Sequence, residues 1–454
     1  MPPRNLVLRE LPRLPDPGAR FLALHGQDPE FYPAFLDSAA TGNPLGRFSL
    51  LLAAPGASLV LDREGGLHGP GAGERFCARL NAWCRAERGP APPSPWPFAG
   101  GWFLYLGYEL AAEVEPTLKL PPSPLSVVAA AVRVSAALLH DHATGATVAV
   151  GEAGAEEAVA RLAKDFADAA PAAGDRPRLP ALSVEEDAPE SYLKACRRAL
   201  EHSAAGDVYQ ANLARSWRVQ VPAGADATGI YARLRAANPG AFAGIARLPG
   251  FQVLSSSPER LVRVQGRRID TRPIAGTRPR LRAADDRAIA ELTGSAKEQA
   301  EHVMLIDLER NDLGRLCEAG TVQVDEYMVV ESYAHVHHIV SNVSGRLRPE
   351  VEPGDVIRAL FPGGTITGCP KVRCMQLIGE LEGQGRGAYT GAMGYLALDG
   401  SLDLNILIRT MTIADGQIEF RAGAGIVADS VPERELDETR AKARGLLRAL
   451  GSES

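Results

Sequence analysis

Residues 393–427 read MGYLALDGSLDLNILIRTMTIADGQIEFRAGAGIV. Three strand-like runs follow one another here: MGYLALDG, LDLNILIRTMTI and GQIEFRAGAGIV. Only short turns, Asp-Gly among them, separate the runs, and Asp-Gly supplies the positive φ angles of a tight hairpin. No helix-length segment intervenes, so the stretch predicts an antiparallel meander rather than parallel βαβ crossovers. The middle run carries Arg409 among apolar neighbours, and a charge in an apolar strand needs a partner. Near the end of the last run, Gly423 and Gly425 leave room for a ligand to approach the backbone; an ordinary tight turn is the alternative reading.

Working outward, FQVLSSS and RRIDTRPI also read as strands, and ESYLKACRRALEHSAAGD reads as a helix. The N-terminal part adds strand-like runs at Phe48–Ala53, Ser58–Leu61, Val127–Leu139 and Ala146–Val150, with a Gly/aromatic stretch FAGGWFLYLGYEL among them. Composition breaks once, at residues 166–189, where Ala, Pro and Asp accumulate as in a surface linker. The predicted organisation is an N-terminal subdomain (1–165), a linker (166–189) and a catalytic domain (190–450).

A chain of 454 residues, 45% hydrophobic, can bury a sizeable core. It has no apolar run of membrane-spanning length, and its N-terminus lacks the apolar region of a secretory signal. The net charge of −6 is mixed along the chain, which disfavours a nucleic-acid or anionic-membrane partner. Six scattered cysteines with no C-x-x-C spacing fit buried thiols in a reducing cytoplasm.

Two Glu-x-x-Glu pairs are the strongest chemical signal. Glu298 and Glu301 lie in SAKEQAEHVML; Glu435 and Glu438 lie in SVPERELDETRAKA. Each segment carries a Ser-x-x-Glu start signal, Ser295 with Glu298 and Ser430 with Glu433. Spacing of three puts each pair on one helix face. Brought together, the faces would form a four-carboxylate cage suited to a hard cation such as Mg2+. Solvated helix faces, with Glu298 only a capping residue, are the bland alternative. Lys442 shares the face of Glu435 and Glu438; an i,i+4 ion pair is its ordinary reading. FPGGTITGCPKVR could cradle an anion ahead of a helix, but it is not a Walker A loop.

SSSPERLVRV, TRPIAGTRPR, AEHVMLIDLERNDLGR, HVHHIVSNVSG, FPGGTITGCPKVRCM, GAYTGAMGYLALDG, AGAGIVADS and DETRAKA occur in this chain, in this order. Together they resemble the chorismate-utilising enzyme family, in the branch of the anthranilate synthase and aminodeoxychorismate synthase large subunits. The resemblance is strong over residues 190–447 and weaker before them. It implies an α+β fold, a composite of antiparallel β-sheets packed face to face with helices outside. It implies Mg2+ held by Glu301 and Glu438, with Glu298 and Glu435 as an outer pair. Chorismate contacts fall on Gly276, Thr277, Thr365, Tyr389, Arg409, Gly423, Ala424, Gly425 and Lys442. His338 falls beside the ring hydroxyl or enolpyruvyl group, whereas His335 and His337 read as structural. Glu259, in SPER, takes an acid/base or structural role.

Gln210, in GDVYQANLARSW, stands where water-using relatives carry a lysine. A lysine of lowered pKa can deprotonate water and a neutral amide cannot, so ammonia is the implied nucleophile. No cysteine has a glutaminase setting, so a separate glutamine amidotransferase is the implied source. The carbon attacked is less plain. Ala275 stands where well-known aminodeoxychorismate synthases carry a covalent lysine, and it matches anthranilate synthases. YQANL and FPGGTITG, and the chain's short length, lean towards 4-amino-4-deoxychorismate. Asn238–Phe242 reads NPGAF where the tryptophan-feedback segment reads NPSPY, while Ser38 matches the other part of that site.

Overall fold

The computed structural model describes residues 6–40, 45–88, 94–170, 183–222, 225–280, 285–332 and 336–452. Every strand pairing among them is antiparallel, the meander included. Strand Gln417–Val427 lies between Thr410–Ala414 and Gln210–Gln220. From there the sheet runs through Phe251–Ser257, Phe242–Leu248 and Ala34–Asp37 to the first half of Phe48–Asp62. A second sheet starts from the other half of that strand. It runs through Val127–Asp141, Gly101–Leu106, Ala392–Ala397, Leu402–Asn405, Arg260–Gln265 and Arg268–Thr271 to Val336–Arg346. Ile274–Pro279 and Gln323–Ser332 also pair with Val336–Arg346.

The two 15-residue strands Phe48–Asp62 and Val127–Asp141 pair along their length and belong to both sheets. The predicted separate runs 48–53 and 58–61 are one strand, bent where Ala54 takes φ 55° and the register slips between Pro55 and Ser58. A bulge of this kind lets a strand turn a corner. Between the sheets lies a core of Leu50, Leu52, Ala246 and Val253 from one and Phe103, Tyr105, Met393 and Ala397 from the other. The Tyr105 and Phe251 rings meet across it at 5.4 Å. Helices cover both outer faces. Pro17–Gln27, Glu156–Asp168, Ala227–Ala237 and Pro432–Ala449 pack on the first; Phe76–Glu87, Ala296–Gly314 and Pro353–Leu360 pack on the second. This is the α+β, face-to-face arrangement expected.

Strands from both halves of the chain interleave, as Ala34–Asp37 with Phe242–Leu248 and Gly101–Leu106 with Ala392–Ala397 show. Of residues 166–189, Phe166 is fully buried at the end of a helix and Val184–Glu186 pairs with Gln210–Gln220. Residues 171–182 lie outside the described residues. All six cysteines are free thiols, five of them buried. Among the described residues no helix is long and apolar enough to cross a membrane.

Candidate active site

The middle run of the meander is not one strand. It divides into Leu402–Asn405 and Thr410–Ala414, and Arg409 stands at the break with φ 51°. Leu402–Asn405 belongs to the second sheet and Thr410–Ala414 to the first, so this break carries the chain from one layer to the other. The expectation of a strand through Arg409 is therefore corrected. A β-branched or bulky residue rarely tolerates a left-handed backbone. Here Ser256 fixes the turn by donating its N–H and its hydroxyl to Arg409 O, at 3.1 and 3.2 Å.

Glu259 lies beside this crossover, buried, and accepts a hydrogen bond from the Thr365 hydroxyl at 2.7 Å. Burial raises its pKa to about 7, against the Thr365 hydrogen bond and the charges of Arg409 and Lys442, which pull it down. Thr365 sits in the one-turn helix Gly364–Ile366 within FPGGTITG. The helix this stretch leads into is Lys371–Glu382.

Gln210 begins the strand that pairs with the end of Gln417–Val427. Strand residues two apart share a face, and Gln210 and Asn212 point towards Gly425 and Gly423. A Cβ on Gly425 would collide with Gln210 Nε2; one on Gly423 would come within 2.8 Å of both Asn212 Oδ1 and the Tyr389 hydroxyl. Ala424 points the other way and is fully buried. Lys442, on helix Pro432–Ala449, donates to Gly423 O at 2.9 Å and pairs with Glu438 at 2.8 Å.

On the opposite flank, strand Ile274–Pro279 holds Gly276 at φ 68°, with Thr277 in register with His338. His338 Nδ1 lies 3.3 Å from Gly276 O. Burial, then the charge of Arg409, lowers its pKa to about 4, so it is neutral at pH 7. Nδ1–H donating to Gly276 O leaves the lone pair on Nε2. His337 is buried beside Ser332 and Asp285, at 2.7 and 3.3 Å. His335 lies outside the described residues.

The four glutamates stand on two helices, Glu298 and Glu301 on Ala296–Gly314 and Glu435 and Glu438 on Pro432–Ala449. Ser295 caps Ala296–Gly314 by accepting from Glu298 N, as predicted, but the Glu298 carboxylate turns to Arg278 at 2.7 Å. Its other oxygen is buried without a hydrogen-bond partner. Glu301 lines a cleft of about 960 Å3, together with Tyr209, Met304, Lys371 and Val427. The second capping box does not form. Pro432 starts the helix after Val431, and the Ser430 hydroxyl accepts from Val427 N instead. A proline has no N–H to be capped and favours the first helical position. Glu435 faces Cys196, where it adds to the burial that raises the thiol pKa to about 12. Among the described residues no three His, Cys, Asp or Glu side chains form a group able to hold a metal. The orphaned Glu298 oxygen is a carboxylate donor of the kind a hard divalent cation takes.

The profile of the family described as chorismate binding enzyme matches residues 67–448. The chain belongs to that family. It is 40% identical over 415 residues to an anthranilate synthase component I-like protein of Synechocystis sp., covering 89% of this chain and 83% of the relative. It is 45% identical over 286 residues to aminodeoxychorismate synthase component 1 of Bacillus subtilis, covering 60% of each. Among solved structures it resembles anthranilate synthase component I of Streptococcus pneumoniae, with TM-score 0.78, 31% identity, and 88% and 92% of the two chains covered.

Within this chorismate-binding fold, sequence reasoning missed a buried acidic layer beneath the FPGGTITG loop. Glu309 is buried behind Gly364, and its pKa rises to about 7 through burial. Thr271 Oγ1 lies 2.9 Å from Glu309 Oε2 and 3.1 Å from Leu261 O. One hydroxyl proton cannot serve both oxygens, so a protonated Glu309 satisfies the pair. Lys371, at the start of the next helix, is tied to Asp312 and to Leu360 O. In the sequence, DLERNDLGR looks like a solvated charge run; only the loop packed over it reveals otherwise. Elsewhere the Ser38 hydroxyl donates to Phe48 O at 2.8 Å, with Ala241 O 3.3 Å away, and lines a cavity of about 370 Å3 with Ala241 and Phe242 of NPGAF.

Proposed function

We propose that this chain aminates chorismate to 4-amino-4-deoxychorismate, for 4-aminobenzoate and folate, using ammonia from a separate glutamine amidotransferase. The observation that carries the reading is Gln210, a buried neutral amide against Gly425 with its oxygen unpartnered. Nothing at that position can take a proton from water, whereas ammonia attacks without a base. YQANL and FPGGTITG support the C4 product.

Arg409, Lys442 and the backbone of Gly423, Ala424 and Gly425 are assigned to a substrate carboxylate. Gly276, Thr277, Thr365 and Tyr389 take the remaining contacts. Glu301 and Glu438, with Glu298 and Glu435 as the outer pair, would hold Mg2+, which neutralises a second carboxylate when bound. Glu259, with its pKa raised to about 7, is about half protonated at neutral pH, and its acid form delivers a proton to the leaving hydroxyl; neutral His338 accepts a hydrogen bond at the ring substituent.

Anthranilate formation is the second reading. Ala275 favours it, and most of the curated relatives bear the anthranilate synthase name. Product identification from chorismate, ammonium and Mg2+ separates the two.

A further inference from the structure

Strand Gln417–Val427 carries a second polar surface beside Gly423 and Gly425. Strand residues two apart share a face. Gln417, Glu419 and Arg421 therefore stand on the glycine face, while Ile418 and Phe420 turn into the core beneath the helices. Along this part the face borders a separate cavity of about 320 Å3. Tyr389 belongs to both compartments: it lines the cavity, and its hydroxyl lies 2.8 Å from the place a Cβ on Gly423 would take. Arg421 is 4% exposed and lines the cavity. A guanidinium has five N–H donors. Among the described residues this one gives a single hydrogen bond, from Nε to Glu419 Oε1 at 3.0 Å. Its Nη1 is 3.9 Å from Glu382 Oε2, too far for another. The neighbouring carboxylates are already engaged. Glu419 also accepts from Arg218 Nε at 3.2 Å. Glu382 accepts from Arg386 Nη2 and Nε at 2.6 and 3.0 Å and from Ala214 N at 2.8 Å. Buried donors without an acceptor cost free energy, and a ligand oxygen would remove that cost. Leu125, Ala388 and Ala414 give the same cavity an apolar side.

We propose that this cavity is a second ligand site, which takes a small monocarboxylate. Its two oxygens accept from the Nη groups of Arg421, and its short apolar body lies against Leu125, Ala388 and Ala414. A carboxylate matches the planar guanidinium fork, and the charge strengthens both hydrogen bonds. Neither Arg409 nor Lys442, assigned to the chorismate carboxylate, is among the residues that line the cavity. Chorismate keeps its contacts on the other side of Tyr389, so the two ligands bind together. The inference goes beyond the amination reading and holds for either product. One charge-assisted pair with little apolar burial gives an affinity in the millimolar range, a Kd of about 1–10 mM.

The test is equilibrium binding of isotope-labelled propionate to the full chain by NMR titration, alone and with saturating chorismate and Mg2+ without ammonium. Propionate should saturate in the millimolar range, and chorismate should change its Kd less than about twofold. Arg421→Gln removes the charge; Ala414→Phe keeps the charge and fills the cavity. Each should weaken propionate by at least about tenfold and leave chorismate affinity within about threefold of the parent. Propionamide, of the same shape without the charge, should bind at least about tenfold more weakly than propionate. Absence of saturable binding to the parent overturns the site, and so does displacement of propionate by chorismate. Unchanged propionate affinity in either folded variant overturns it as well, and equal affinity for propionamide overturns the carboxylate assignment. A parent that takes propionate at Arg421 but does not bind chorismate upholds this site and refutes the amination reading.

Discussion

Burial sets the protonation of Glu259. An ordinary glutamate is ionised at pH 7, whereas this one, with its pKa raised to about 7, is about half protonated there. Its acid form is present below pH 7 and is lost as pH rises through that value. If it protonates the leaving hydroxyl, the rate should fall with a midpoint near pH 7 on the alkaline side. Glu259→Gln should cost about 10²–10⁴ in rate and abolish that limb. A pH–rate profile of kcat for parent and variant checks this; the same limb in the variant would assign the ionisation elsewhere. Gln210→Lys tests the nucleophile. A lysine there, neutralised by burial, should divert part of the product towards hydration of chorismate. An unchanged water-to-ammonia ratio in a chorismate-binding variant would count against it. The metal assignment is tested by Glu301→Gln and Glu438→Gln. Each should lose at least about two orders of magnitude in rate, about 2.7 kcal/mol of transition-state stabilisation. Full activity in excess chelator would remove the metal from the account.

Elements were readable where one residue type decides them. Asp-Gly turns set the meander, and Ser295 starts its helix as its spacing predicts. Elements were misread where two local rules compete. Ser430 has the capping spacing, but Pro432 shifts the helix start past it. Arg409 sits in an apolar run that reads as a strand, yet its left-handed backbone breaks the run and turns the chain between layers. Nothing in NILIRT signals that break, because it is imposed by Ser256 from another strand. Glu309 was missed for a related reason: sequence does not say which side of a charged helix a loop will cover. Gly276 gives the prediction at this scale. With φ 68° and a Cβ position 2.7 Å from Glu298 Oε2, Gly276→Ala should cost about 1–2 kcal/mol and displace the Glu298 carboxylate. A chemical denaturation midpoint and the Mg2+ dependence of rate should both move. A variant with unchanged stability and unchanged Mg2+ dependence would contradict the placement of that strand.

At the scale of the whole molecule, the two long strands that belong to both sheets bind the halves of the chain together. The length of Val127–Asp141 was largely readable from its apolar run, but Phe48–Asp62 reads as two runs, because no motif announces the bend at Ala54. Residues 190–450 have strands whose neighbours lie before residue 166. Expressed alone this segment should not melt cooperatively, while the full chain should show one transition by circular dichroism. A cooperative transition in the isolated segment would show that it folds by itself. The proposed reaction at the crossover and the glycine strand is amination of chorismate at C4. The direct test is product identification by liquid chromatography and mass spectrometry after turnover of chorismate with ammonium chloride and Mg2+. The account predicts 4-amino-4-deoxychorismate, which the downstream lyase converts to 4-aminobenzoate and pyruvate; anthranilate as the sole product would contradict it.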